Sequence, residues 1–181
     1  MTIYMTSDLH VDHYINHRVS LENHINNALK PADILCVAGD TCDDPHLFVE
    51  FYKAASPRYK KIFVVFGNIH KDILASQMKK LNHVVSQKPD IILTHYILLF
   101  FGVDKIYEHD VYTTFFYFNG QKYLDQLKDK SIWLAGHTHS VRTKELVQGD
   151  GRIIHLKLNP VGYPDEDSGN AERMDEFLIK R

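Results

Sequence analysis

Asp8 and His10, near the start of the sequence, are residue types that bind divalent metal ions. They follow the short apolar and β-branched segment 2–6, whose composition predicts a β-strand. Because residues i and i+2 of a strand point to the same side, the Asp8 carboxylate and the His10 imidazole can reach one point beyond the strand end. A carboxylate oxygen and an imidazole nitrogen supply half of the ligands of a divalent-metal site.

Four further apolar segments also end at polar residues of metal-binding types. The segments 33–38, 61–66, 90–94 and 131–135 lead to Gly39-Asp40, Gly67-Asn68, His95 and Gly136-His137-Thr138-His139. Short continuous apolar segments predict strands buried on both faces, in a sheet covered by helices. Ligands of such sheets gather beyond the carboxyl ends of the strands. We therefore expect two Asp, one Asn and four His side chains at one edge.

The connecting segments predict an α/β arrangement. After His10 the sequence predicts a polar connection, and apolar residues at helical spacing predict helices over 19–29, 45–55 and 71–81. Helices between successive strands imply right-handed crossovers and a mostly parallel first sheet. Residues 83–85 are interpreted as a short edge strand.

The C-terminal third has a different pattern. Aromatic residues crowd the segment 96–130, and 119–128 is predicted to be a helix. The segments 141–148 and 152–158 flank Gly149-Asp150-Gly151, which predicts an antiparallel hairpin. The acidic residues 165–167 are interpreted as a solvated loop, and a short helix is expected after residue 170.

Length and composition predict one domain over residues 1–181. The formal net charge of −2 predicts no electrostatic attraction to nucleic acid or membrane. We find neither an apolar segment of about 20 residues nor a signal-peptide pattern in the sequence. The two cysteines suggest no disulfide framework. A cytoplasmic protein without a membrane partner is therefore expected.

The ordered motifs D-x-H, G-D, G-N, a lone His after a strand, and G-H-T-H resemble the calcineurin-like metallophosphoesterase family. The resemblance runs from Asp8 to His139. It implies a four-layer α-β-β-α sandwich and two divalent metal ions. One ion would be held by Asp8, His10, Asp40 and His139. The other would be held by Asp40, Asn68, His95 and His137, so that Asp40 bridges the two.

The resemblance also assigns catalytic roles to Asp40, Asn68 and His70. In the family a His directly follows the Asn of the G-N motif, whereas this chain reads Gly67-Asn68-Ile69-His70. One inserted residue would move an imidazole by roughly 3.3 Å and, in an extended chain, turn it to the other side. Either the loop bulges so that His70 still reaches the phosphoryl group, or the general acid is missing.

From these residues we expect a phosphoesterase in which a hydroxide bridging two metal ions attacks a phosphomonoester or phosphodiester. Mn²⁺ is the expected metal, with Fe, Zn, Ni and Co as alternatives, because the mixed ligand set does not choose among them. The expected partner is a phosphate-ester substrate, for which a nucleotide or oligonucleotide is one candidate. The alternative is a metal-binding scaffold of the same fold with weak or no catalysis.

Overall fold

The structure of the chain is a computed structural model that describes residues 1–68, 71–100, 103, 117–166 and 173–180, with the backbone alone at 71–75. Its class is α/β, with two four-stranded sheets and few helices. His70 lies outside the described residues, as do residues 101–102 and 104–116 of the aromatic segment.

The first sheet has the strand order β3-β2-β1-β8. Strands β1 (Thr2–Thr6), β2 (Ile34–Ala38) and β3 (Lys61–Val65) are parallel, as predicted from the helices between them. Strand β8 (Leu178–Lys180) pairs with β1 in antiparallel orientation, with Ile3 opposite Ile179. The carboxyl ends of β1, β2 and β3 therefore lie at one edge and lead to Asp8, Asp40 and Asn68.

The second sheet has the strand order β4-β5-β7-β6. Strands β4 (Ile91–Leu93), β5 (Ile132–Ala135) and β7 (Ile153–Leu158) are parallel. Strand β6 (Arg142–Val147) is antiparallel to β7, which confirms the predicted hairpin. The five predicted strands that lead to ligand-type residues are thus divided between two sheets, three in the first and two in the second.

The helices connect the strands largely as predicted. They are α1 (Val11–Asn16), α2 (Leu21–Ala28), α3 (Pro45–Ala55), α4 (Lys71–Ser86) and α5 (Gln121–Leu124), with short 3-10 helices at Ser56–Arg58 and Met174–Phe177. The side chain of Ser20 caps α2 and that of Asp44 caps α3, where Pro45 occupies the first turn. Among the described residues, the structure has no helix that is both long enough and apolar enough to cross a membrane.

Alternate residues of β5 pack into two different apolar cores. Ile132 and Leu134 join the core formed by β1, β2, α2 and α3. Trp133 and Ala135 join a second core with residues of β7, α4 and α5. Because successive side chains of a strand point to opposite faces, β5 is buried on both faces, as its continuous apolar segment predicted. The same prediction was wrong for the segment 61–66, where Phe63 and Phe66 are exposed.

Four predictions of secondary structure were wrong. The polar connection after His10 is the helix α1, and residues 83–85 continue the helix α4 instead of forming a strand. The predicted helix 119–128 is helical only over Gln121–Leu124, although Tyr123, Leu124 and Leu127 are buried as expected. The C-terminal helix is a 3-10 turn, and it is followed by β8, which was not predicted.

Candidate metal centre

The structure brings six of the seven predicted ligand residues together in two groups. We call Asp8, His10 and His139 cluster 1, and Asp40, His95 and His137 cluster 2. Within each cluster, one potential ligand atom from each residue lies within 4.8 Å of the others. The two clusters could each hold a metal ion.

The atoms of cluster 1 converge on a small volume. The Nε2 atoms of His10 and His139 are 2.9 Å apart, and His139 Nε2 lies 3.6 Å from Asp8 Oδ1. Two imidazole nitrogens and a carboxylate oxygen that face one another form a suitable donor set for a divalent transition metal.

Cluster 2 has the same kind of arrangement and also contacts Asn68. His95 Nε2 is 3.2 Å from Asp40 Oδ2, and His137 Nδ1 is 3.2 Å from His95 Nε2. The backbone N–H and the side-chain amide of Asn68 donate to the two carboxylate oxygens of Asp40, each at 3.0 Å. The seventh predicted ligand residue therefore lies directly beside the second cluster.

Asp8 connects the two clusters. Its carboxylate accepts from the backbone N–H of His137, at 3.0 Å to each oxygen, and Asp8 Oδ1 lies 4.0 Å from His95 Nδ1. Asp8 is fully buried. The two candidate metal positions are therefore neighbours around one buried carboxylate.

The backbone at the strand ends has an unusual conformation. Five of the seven predicted ligand residues have φ values between 42° and 75°, in the left-handed region that non-glycine residues rarely adopt. These residues are Asp8, His10, Asp40, His137 and His139. Such strain persists where the surrounding structure enforces it, and it is concentrated at functional sites.

Gly67 and Gly136 permit a close approach of backbone to carboxylate. A β-carbon at residue 67 would lie 1.3 Å from Asp40 Oδ1, and one at residue 136 would lie 2.5 Å from Asp8 Oδ2. These glycines are therefore needed because a side chain at either position would clash with a carboxylate of the centre.

The two carboxylates have opposite pKa shifts. Burial raises the pKa of Asp8 above its usual value, against the opposing influence of His95 and His139. Burial also acts to raise the pKa of Asp40. The hydrogen bond and charge interaction of Asp40 with His95, together with the hydrogen bond from the Asn68 N–H, outweigh burial and lower this pKa to about 2. Asp40 is therefore anionic at neutral pH and suited to binding a cation.

The histidines also suit metal binding. Burial, with His139 adding to its effect, lowers the pKa of His10 to about 4, so its imidazole is neutral near pH 7. His95 Nδ1 lies 2.8 Å from the carbonyl oxygen of Ala38 and donates to it, so a neutral ring carries its lone pair on Nε2, whereas a protonated ring donates from Nε2 to Asp40. Burial opposes protonation of His95, but Asp40 and Asp8 outweigh it and raise its pKa. The site therefore favours a positive charge here, which a metal ion at Nε2 would supply.

Two residues of the centre were not predicted. Glu166 lies in an exposed loop, as residues 165–167 were interpreted, but its Oε2 lies 2.6 Å from His139 Nδ1, a contact that was not predicted. The ring of Tyr163 stacks on His10, with 4.2 Å between ring centroids. Neither residue carries a motif signal, because both lie in the loop after β7 and reach the centre only through the tertiary fold.

Comparisons with known proteins identify a fold. No protein-family model matches the sequence, and no curated protein matches it. The structure is similar to the crystal structure of phosphopantetheinyl hydrolase (PptH) from Mycobacterium tuberculosis, with a TM-score of 0.58 over 90% of each chain. The two sequences are 15% identical over that match, so the similarity shows a shared fold.

Proposed function

We propose that this chain is a dinuclear metal-dependent phosphoesterase of the calcineurin-like metallophosphoesterase family. The observation that carries the proposal is the pair of clusters, each with ligand atoms within 4.8 Å, arranged around the buried Asp8. The name of the structural neighbour is consistent with it, because a phosphopantetheinyl group is attached through a phosphate ester.

We also propose the α-β-β-α sandwich of that family as the layer arrangement. The packing of β5 supports it, because Ile132 and Leu134 share a core with the first sheet while Trp133 and Ala135 face the opposite way. In this arrangement the strand ends of both sheets would open on one edge, where the two clusters lie.

In the proposed centre, cluster 1 with Asp40 would hold one ion, and cluster 2 with Asn68 would hold the other. Two adjacent divalent ions supply charge to the phosphoryl oxygens and lower the pKa of water. Asp40, as an anion between them, would offset the repulsion of the two positive charges. Mn²⁺ is the proposed metal, and Fe, Zn, Ni and Co suit the same oxygen and nitrogen donors.

The chain's own residues would orient the ligands and the substrate. The Ala38 carbonyl directs Nε2 of His95 towards Asp40, and the backbone N–H of His137 holds the Asp8 carboxylate in place. Asn68 is positioned by Asp40 and would contact the phosphate ester beside the second cluster. His70 is the proposed proton donor to the leaving oxygen.

The experiment that tests the proposal is to strip the protein of metal, reload it with Mn²⁺, count the bound ions and measure hydrolysis of bis-p-nitrophenyl phosphate and p-nitrophenyl phosphate. We expect two ions per chain and turnover of at least one compound, and the preferred one would separate diester from monoester chemistry. His139→Asn should lose metal and turnover, whereas His83→Asn, at an exposed position of α4, should keep both. Two ions without turnover of any phosphate ester would favour the scaffold alternative, and no bound ion would overturn the proposal.

A further inference from the structure

The turn formed by Tyr163 and Glu166 contacts both histidines of cluster 1. The backbone N–H of Tyr163 donates to Glu166 Oε2 at 2.9 Å, and the Glu166 N–H donates to the Tyr163 carbonyl at 3.0 Å. The same carboxylate oxygen lies 2.6 Å from His139 Nδ1, while the Tyr163 ring stacks on His10. One short turn therefore contacts two of the three ligand side chains of cluster 1.

We propose that Glu166 is a positioning residue that holds His139 as an Nε2 ligand, and that the turn makes cluster 1 dependent on it. This inference rests on the proposed metal centre. A carboxylate at Nδ1 keeps the proton on that atom, which leaves the Nε2 lone pair directed at His10 and Asp8. The negative charge of Glu166 also makes the His139 imidazole a stronger electron-pair donor to a metal ion.

The two clusters differ in the group that supports their histidines. His95 of cluster 2 is oriented by the neutral, buried carbonyl of Ala38, whereas His139 is oriented by a carboxylate whose side chain is 38% exposed. Loss of the Glu166 charge should therefore weaken one ion of the pair and spare the other. A general loss of folding would instead affect both.

Backbone hydrogen bonds of the loop after β7 fix the position of this turn. The Val161 N–H donates to the Ser7 carbonyl and the Gly162 N–H to the Asp8 carbonyl, each at 2.9 Å. The loop is thus anchored on the strand end that carries Asp8, and Glu166 follows four residues later. These backbone hydrogen bonds help to place the Glu166 carboxylate beside His139.

The test compares Glu166→Gln with Asp165→Asn by equilibrium dialysis against a series of Mn²⁺ concentrations. Asp165 is an exposed residue of the same turn, so its variant removes the same charge from nearly the same place. We expect Glu166→Gln to weaken one of the two binding steps about 10- to 100-fold and to leave the other unchanged. Asp165→Asn should change either step by less than about fivefold, the limit of an exposed charge effect.

A second readout is the long-range ¹H–¹⁵N NMR spectrum of the histidine rings in the metal-free protein. It should show His139 protonated at Nδ1 in the wild type and a mixture of the two ring forms in Glu166→Gln. The role of Glu166 would be overturned if both variants weakened Mn²⁺ binding equally, or if Glu166→Gln changed the affinity of neither binding step. Either result would leave the proposed metal centre unaffected. A wild-type chain that binds no Mn²⁺ would overturn the proposed function, and this inference with it.

Discussion

The ring of His95 occupies the space that a side chain at Gly39 would need. A β-carbon built on Gly39 would lie 2.5 Å from His95 Nδ1, and Gly39 has a φ of +89°. The residue at the end of β2 must therefore lack a side chain so that His95, at the end of β4, can reach the Ala38 carbonyl and Asp40. This contact couples the two sheets at the candidate metal centre.

The first prediction follows from that contact. Gly39→Ala should lose about 1–2 kcal/mol of unfolding free energy from the left-handed backbone and about 1–3 kcal/mol more from the clash with His95. Gly151→Ala is the matched control, because Gly151 has a φ of +86° and nothing lies within 4 Å of its built β-carbon. Urea unfolding should show the larger loss in Gly39→Ala, with weaker metal binding in that variant alone. Equal losses would show that His95 can move aside.

The second prediction concerns Asp40 as the bridge between two ions. Asp40→Asn removes the negative charge that is proposed to bridge the two ions, so the affinities of both ions should fall by at least about tenfold. The measurement is metal content per chain after dialysis against limiting Mn²⁺. Asp43→Asn changes an exposed carboxylate three residues along the chain and should keep two ions. Two ions retained by Asp40→Asn would remove Asp40 from the bridging position.

The third prediction separates metal binding from proton transfer. If His70 protonates the leaving oxygen, His70→Ala should lower turnover about 10²- to 10⁴-fold and leave the metal content unchanged. His83→Ala, an exposed histidine of α4, should leave both quantities unchanged. Undiminished turnover in His70→Ala would exclude this residue from the reaction and would mean that the inserted Ile69 breaks the family pattern.

The fourth prediction is a pH dependence of stability that arises outside the metal centre. His24 is buried, its ring lies 4.2 Å from that of Tyr14, and its Nε2 has no hydrogen-bond partner among the described residues. Burial lowers the pKa of His24 to about 4. The unfolded chain, with an ordinary histidine pKa, therefore binds a proton that the folded chain excludes as pH falls from about 6.5 towards 4.

The wild type should consequently lose about 2 kcal/mol more stability than His24→Phe between pH 7 and pH 5. Urea unfolding of the metal-free proteins at the two pH values measures the difference. His10, which also has a lowered pKa, is present in both chains, so its contribution cancels. Parallel pH profiles of the two proteins would mean that His24 accepts a proton in the folded state.

The ligand-type residues could be predicted because their positions are local signals. Asp8, Asp40, Asn68, His95 and His137 each come within three residues of the end of an apolar strand. The division of these strands between two sheets could not be predicted, because pairing such as that of β5 with β7 depends on contacts between distant parts of the chain.

The missed elements lack the sequence features that usually mark them. The helix α1 begins after His10 in a left-handed conformation, without a side-chain cap. Strand β8 has three residues, too few for a periodic pattern, and it forms because β1 has an edge to pair with. In the sequence Glu166 is part of an acidic loop, and its contacts with His139 and with the Tyr163 N–H are what distinguish it from Asp165.

The pairing of β8 with β1 affects how the protein can be assembled during translation. Residues 178–180 are synthesised long after residues 2–4, so the outer edge of β1 stays unpaired on the ribosome until nearly the whole described chain has been made. Cluster 1 likewise waits for His139, which is 129 residues beyond His10. During synthesis neither cluster is therefore complete until residues 137–139 have been made, and an earlier nascent chain offers an ion only some of the ligands.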